Sequence, residues 1–394
     1  MEFAHRLRSL QSNVFADMDR AKGEAIAQGL PIIDLSLGSS DLPTPPVVLE
    51  AIASALDDPS THGYALFQST EPFRQAIARH YTAKYGIPID PDTEVLPLIG
   101  CQEGTAHLPL AVLNPGDYAL LQDPGYPSHF GGVALAGGRV HRMPLRAEAG
   151  FLPQFEEIPA EVLQQARLMV LSYPHNPTTA IASLDFFKTA IAFCKRHDLM
   201  LAHDFPYADL VFEGSPAAPS LLQADPDKTR SIEFFTFSKS YNMGGFRIAY
   251  AVGNAEMIGA LRQVKAVIDF NQYRGIMRGA IAALEANQAI VSTTVKTFAD
   301  RRDAMVEAMA AIGWPVSTPP ATMYIWAQLP PHWRDNSIGF CQELVRKTGV
   351  ALAPGAGFGA MGEGYVRFAL VHPPAVLREA IAKIQPLLAE KPTR

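Results

Sequence analysis

The stretch TFSKSYNMGGFRIAY, residues 236–250, sets one lysine among hydroxyls, follows it with a glycine pair and places an arginine at the edge of an apolar run. Two readings compete. Most lysines and arginines lie in water and keep loops solvated. Alternatively, Lys239, Ser238, Ser240 and Arg247 together hold a phosphorylated, aldehyde-bearing ligand, with Lys239 as covalent anchor and Arg247 as phosphate partner. The sequence on either side decides between them.

Between about residues 95 and 255, strand-like apolar runs recur: EVLPLIG, DYALLQ, RVHRMPL, ARLMVLSYP, LMLAHDF, SIEFFTFS and RIAYAVG. Amphipathic segments such as SLDFFKTAIAFCKRHD lie between them. This alternation predicts an α/β domain with a mainly parallel sheet. The unbroken apolarity of the runs fits strands buried on both faces. Upstream, residues 3–28 carry apolar residues at helical spacing as far as Gly29 and Pro31, and IIDLSLGSSDLPTPP reads as a short strand entering a loop. Beyond residue 255 the pattern is mostly helical, then closes with the strands MYIWAQL and GYVRFAL and the helix PAVLREAIAKIQPLLAE. The expected organisation is a large domain over 31–275 and a smaller α+β domain built from 1–30 and 276–394.

Bulk properties narrow the function. With 394 residues, 48% of them hydrophobic and 18% charged, the chain can bury a large core, so disorder and fibrous repeats are excluded. A net charge of −6 carries no electrostatic footprint for nucleic acid. Cys101, Cys194 and Cys341 lie far apart, which argues against a disulfide framework or a zinc site and fits a reducing compartment. The first 30 residues include Glu2, Asp17, Asp19 and Glu24 and lack the apolar centre of a secretory signal. No run approaches the ~20 apolar residues of a membrane span. A cytoplasmic protein with no membrane partner is expected.

Polar clusters stand at the ends of the predicted strands, where open α/β sheets bind ligands. LIGCQEGTAHL breaks at Gly100 and opens a helix, so its free N–H groups and positive dipole end suit a phosphate. LQDPGYPSHF sets Tyr126 between a turn and a proline, and LSYPHNPTTA fixes Asn176 before Pro177. LAHDFPYADLVF leaves Asp204 at a strand end with Tyr207 three residues on. Singly, these read as a glycine turn, a core aromatic, a turn asparagine and a helix cap.

Their order is more informative. Gly100-Cys101-Gln102, Tyr126, Asn176-Pro177, Asp204 with Tyr207, Ser238-Lys239 and Arg247 resemble the signature of fold-type I pyridoxal-phosphate aminotransferases, class I/II. The resemblance begins at Gly38 in LSLGSSDLPTP, includes Tyr64 in HGYALF, and runs through APGAGFG to Arg367 in GYVRFAL. SKSYNMGGFRIAYAVGN is nearest the branch holding alanine, aspartate and LL-diaminopimelate aminotransferases. The resemblance implies a fold-type I large domain with a smaller α+β domain, and transamination between an α-amino acid and a 2-oxo acid. It implies that Lys239 forms a Schiff base with pyridoxal 5′-phosphate and then shuttles a proton as general acid and base. Asp204 is the partner of the ring nitrogen; Tyr207 and Asn176 bond the ring's phenolic oxygen, and Tyr126 stacks on the ring face. Arg247, Ser238 and the amides around Gly100, Cys101 and Gln102 take the phosphate. Tyr64 reaches the phosphate of a neighbouring subunit, so a homodimer with shared sites is implied. Arg367 grips the substrate α-carboxylate, beside Asn176, and Gly38 lets the backbone approach it.

Two departures stand out. Thr179 occupies a position where the family commonly has glycine, and Cys101 replaces the usual Ser or Thr of the phosphate cup. Cys101 reads as a small residue lending its N–H, not as a nucleophile. His129, His175 and His203 flank the motifs without a metal-ligand arrangement and read as supporting or core residues, so no metal is expected. The same residues would serve a β-lyase that eliminates a leaving group. An effector-binding regulator on this scaffold is the other alternative, disfavoured because the 30 residues before the first strand are not basic enough for DNA. The side-chain pocket is not announced: Asp269 and Arg274 in VIDFNQYRGIMRG either read a distal charge or are solvated.

Overall fold

Every apolar run expected as a strand between residues 95 and 253 forms one in the computed structural model, which describes residues 3–10 and 14–389. The strands are β1 (Ile33–Asp34), β2 (Val95–Leu98), β3 (Tyr118–Asp123), β4 (Arg139–Pro144), β5 (Ala166–Ser172), β6 (Met200–Asp204), β7 (Ser231–Thr236), β8 (Ala249–Gly253), β9 (Tyr324–Gln328), β10 (Val350–Ala351), β11 (Ala353–Pro354) and β12 (Tyr365–Ala369). Seven of them form one sheet in the order β2-β8-β7-β6-β5-β3-β4. All neighbours pair in parallel except β8, which is antiparallel to both β2 and β7. Because β8 runs backwards, the residues just before it lie at the same edge as the carboxyl ends of the other strands. That reversal brings Arg247 to the edge reached by Asp204 and Lys239.

Helices cover the sheet for reasons the sequence states. Leu184–His197 starts where the Ser183 hydroxyl accepts the Phe186 N–H, buries Phe187, Ala190, Ile191 and Cys194, and ends at Asp198 with Lys195, Arg196 and His197 in its last turn. The His203 ring nitrogen Nδ1 lies 3.1 Å from Glu233 Oε2, both side chains fully buried between β6 and β7. His203 is thus a core residue held by a partner, the cheapest way to bury such a group.

The smaller unit has the antiparallel sheet β11-β12-β9, the parallel pair β1-β10 and the helices Ser337–Thr348 and Pro374–Ala389. Met18, Ala21, Ala25, Ile33 and Leu35 join its core beside Phe298, Met305 and Phe368, so the amino-terminal segment packs with the carboxyl-terminal part. Of the helix expected over 3–28, His5–Leu10 is a 3-10 turn and Val14–Ala27 an α-helix, and residues 11–13 lie outside the described residues. Glu390, expected to end the last helix, also lies outside them. The division expected after residue 275 falls inside the helix Arg274–Glu285. Met277, Ala280, Ala283 and Leu284 of that helix pack with Phe73, Ile77 and Tyr81 of the large unit, whereas Phe298, Met305 and Met309 of the next helix, Ala289–Ala311, belong to the smaller core.

Candidate active site

The carboxyl edge of the large sheet, faced by β9 and β12, gathers most of the expected side chains. Lys239 sits in the single helical turn Phe237–Ser240, started by the Thr236 hydroxyl, which accepts the Ser238 N–H at 3.1 Å. Its Nζ donates to the Gly38 carbonyl and lies 5.8 Å from the centre of the Tyr207 ring. Desolvation in the cleft lowers the Lys239 pKa, and the Arg367 and Arg247 charges act in the same direction against an opposing pull from Tyr324. The site therefore favours a neutral amine.

Asp204 ends β6 and is buried, with Oδ2 3.0 Å from His129 Nε2. Its Oδ1 is buried with no hydrogen-bond partner. A carboxylate oxygen left in that state costs roughly 1–3 kcal/mol or more unless something meets it. Beyond His129 comes His175, whose Nδ1 lies 2.7 Å from the Thr178 hydroxyl. Burial, helped by His129, drops the His175 pKa from 6.5 to about 3, so it is neutral at physiological pH.

Arg367 on β12 donates from Nη1 to Asn176 Oδ1 at 2.8 Å and from Nη2 to the Ser36 carbonyl at 2.7 Å, and its buried Nε has no partner. The guanidinium is sandwiched over Tyr324 and Phe358, 4.2 and 4.7 Å from their ring centres. Gly38 lies under Tyr324: a Cβ there would fall 1.9 Å from the Tyr324 hydroxyl oxygen. Tyr207 joins the cluster through its hydroxyl, 2.7 Å from that of Tyr324.

On the far side, Gly100 caps the helix Cys101–Val112 with φ of 84°, and a Cβ there would fall 2.2 Å from Arg247 Nη2. Only glycine permits that approach of an arginine to the helix N-terminus. Arg247 itself is exposed and donates to the Gly244 carbonyl at 3.1 Å. Ser238 Oγ accepts from Thr236 Oγ1 at 2.9 Å, and Gln102 is exposed. Burial pushes the Cys101 thiol pKa up, and Asp204 adds to the effect, so the thiol stays protonated. Tyr126 caps the helix Pro127–Leu135 with its ring edge-on to His129, centres 5.9 Å apart.

Tyr64 is placed differently. It is 89% exposed, its ring edge-on to Phe270 at 6.3 Å, and its hydroxyl bonds none of the residues above. Asp269 is held by Lys265 Nζ at 3.2 Å, and the same ammonium reaches Glu103 at 2.8 Å. Glu103, His107 and Asp269 offer ligand atoms within 4.8 Å of one another, and the Lys265 ammonium bridges the two carboxylates of this group. Arg274 donates to the Ser60 carbonyl and keeps a buried Nε without a partner.

His129, expected as a supporting or core residue, lies 3.0 Å from Asp204. Tyr324 escaped the sequence reading: it is an ordinary residue of an apolar strand until the fold sets it 2.7 Å from Tyr207.

The family model of the class I and II aminotransferases matches residues 31–384. The chain belongs to the class I and II aminotransferases. The LL-diaminopimelate aminotransferase of Dehalococcoides mccartyi is 42% identical over 384 residues, 98% of each chain, and that of Gloeobacter violaceus is 40% identical over 386 residues, again 98% of each. Among solved structures, the probable N-succinyldiaminopimelate aminotransferase of Thermus thermophilus is 43% identical with a TM-score of 0.89, covering 95% of this chain and 99% of that one. Substrate-bound BacF of Bacillus subtilis superimposes with a TM-score of 0.94 at 35% identity, over 98% of both.

This aminotransferase thus has the fold-type I architecture, uses pyridoxal phosphate and catalyses transamination. Nothing in these relatives supports the lyase alternative, since each enzyme name among them is that of an aminotransferase. The residues present fit the cofactor: the unpartnered Asp204 Oδ1 suits a protonated ring nitrogen, and the cradle at Gly100 beside Arg247 suits a phosphate. Among the described residues, no helix is long and apolar enough to cross a membrane.

Proposed function

We propose that this aminotransferase acts on an amino acid of the diaminopimelate type, a long substrate with an α-amino acid head and a second carboxylate, with a 2-oxo acid as acceptor. Bound pyridoxal phosphate supplies an aldehyde to receive the amino group and a ring that withdraws electrons from the substrate α-carbon. The chain's own residues do the rest. Lys239 anchors the cofactor and, once freed, carries the proton from the substrate α-carbon, a task its lowered pKa suits. Asp204 holds the ring nitrogen protonated, and His129 holds Asp204. Tyr207 and Asn176 meet the phenolic oxygen, and Tyr126 covers the ring face. Arg247, Ser238 and the amides of Gly100, Cys101 and Gln102 bind the phosphate. Arg367 takes the α-carboxylate, with Gly38 beneath it.

The observation that carries the long-substrate reading is the contrast between Asp269 and Arg274. Asp269 is committed to Lys265, whereas Arg274 keeps a buried Nε unpartnered and its Nη2 lies 3.8 Å from where a Gly63 Cβ would stand, next to Tyr64. A homodimer in the cytoplasm, with exposed Tyr64 crossing to the partner's phosphate, would carry Arg274 toward the same neighbouring site, where it reads the distal carboxylate. The similarity to diaminopimelate and N-succinyldiaminopimelate aminotransferases supports this. An amino-donor panel against 2-oxoglutarate and pyruvate tests it: LL-diaminopimelate or its N-succinyl form should give the highest kcat/KM. Arg274→Ala should raise KM for these donors and leave alanine unaffected. Equal loss with alanine would overturn the assignment.

A further inference from the structure

Tyr324 has no part in the roles above, yet it meets Tyr207, Arg367 and Gly38. It comes from β9 of the smaller unit, and its hydroxyl lies 2.7 Å from that of Tyr207, on the loop after β6. The two rings stand at 74° with centres 5.6 Å apart. The Arg367 guanidinium lies over its face at 4.2 Å, and its oxygen fills the space a Gly38 side chain would need.

Proton accounting gives this contact a direction. Each phenol has one proton to donate. If Tyr207 donates to Tyr324, Tyr207 has nothing left to offer a third oxygen; if Tyr324 donates, the Tyr207 proton is free. We infer that Tyr324 is a positioning residue for the cofactor: it donates to Tyr207 and so commits the Tyr207 proton to the cofactor's phenolic oxygen. This rests on the reading that Tyr207 meets that oxygen. The 2.7 Å contact fixes the direction once Tyr207 donates to the cofactor: with one proton on each phenol, Tyr207 can then only accept from Tyr324. The Arg367 guanidinium over the Tyr324 ring, 4.2 Å from its centre, suits an oxygen that gains negative charge by donating. A donor chain strengthens its last bond by roughly 10–30%.

The pH titration of the visible absorbance of cofactor-loaded protein, without substrate, tests this. A donor on the phenolic oxygen favours its anion and lowers the midpoint, so Tyr207→Phe should raise it. Tyr324→Phe, which keeps the packed ring, should raise it in the same direction by a smaller amount, roughly a few tenths of a pH unit. The double variant should titrate with Tyr207→Phe alone, because Tyr324 acts through Tyr207. A Tyr324→Phe midpoint equal to wild type, or a double variant showing the sum of both shifts, overturns the inference while leaving Tyr207 in its role. A Tyr207→Phe midpoint that does not move sinks the Tyr207 assignment and this inference with it.

Discussion

His129 Nε2 lies 3.0 Å from Asp204 Oδ2, while the other oxygen of the same buried carboxylate has no hydrogen-bond partner. One side of Asp204 is therefore fixed by the protein and the other is kept for the cofactor. A carboxylate that must hold a proton on a ring nitrogen needs both: an orientation it cannot lose and a free lone pair.

Asp204→Asn is expected to lower the rate of the half-reaction with a good amino donor by on the order of 10²-fold or more, since a neutral amide no longer stabilises a protonated ring. His129→Asn removes only the fixing bond, and a loss of roughly tenfold is expected. Single-turnover absorbance measurements check both. An unchanged rate in Asp204→Asn would remove the ring-nitrogen role.

Arg367→Ala is expected to raise KM for every α-amino acid, because the contact it loses, about 1.5–3 kcal/mol for a charge-assisted bond, is to a group all substrates share. Steady-state kinetics with three unrelated donors check this. Impairment confined to one donor would assign Arg367 to side-chain recognition instead.

His175 gives a pH dependence of stability. Its folded pKa of about 3 lies below the ordinary 6.5, so between those values the unfolded chain binds the extra proton. The stability it contributes is present above pH 6.5 and is lost as pH falls toward 3, at up to ~1.4 kcal/mol per pH unit. His175→Asn should flatten the fall in Tm over that window by calorimetry. A variant with the wild-type slope would show that His175 does not carry it.

Subunit exchange tests the proposed shared site. Tyr64→Ala and Lys239→Ala proteins are each expected to be inactive and to regain part of the activity when mixed, because in the proposed dimer a hybrid holds one site with both residues intact. Failure to recover activity after exchange demonstrated by mass would leave Tyr64 without its cross-subunit role.

The large sheet was legible because its central strands are buried on both faces and so read as unbroken apolar runs. The direction of β8 was not, since an apolar run carries no orientation, and yet that reversal is what brings Arg247 to the site. The helix Arg274–Glu285 packs its apolar face with the large core, a partner its sequence does not announce, because an apolar helical face looks the same whichever core it joins. Lys239, Asp204 and Arg367 stood out only through the order of their motifs, since singly they read as a solvated lysine, a helix cap and a surface arginine. Tyr324 was not: it meets Tyr207 across 117 residues of sequence, through strand pairing and the packing of two units.

Borohydride reduction of the cofactor-loaded protein followed by peptide mapping identifies the lysine that holds the cofactor. The buried amine of Lys239, with its lowered pKa, is expected to carry the whole pyridoxyl mass in the peptide containing FSKSYN, and Lys239→Ala protein should carry none. A pyridoxyl label on any other lysine of the wild-type chain, or none, would take Lys239 out of the anchoring role.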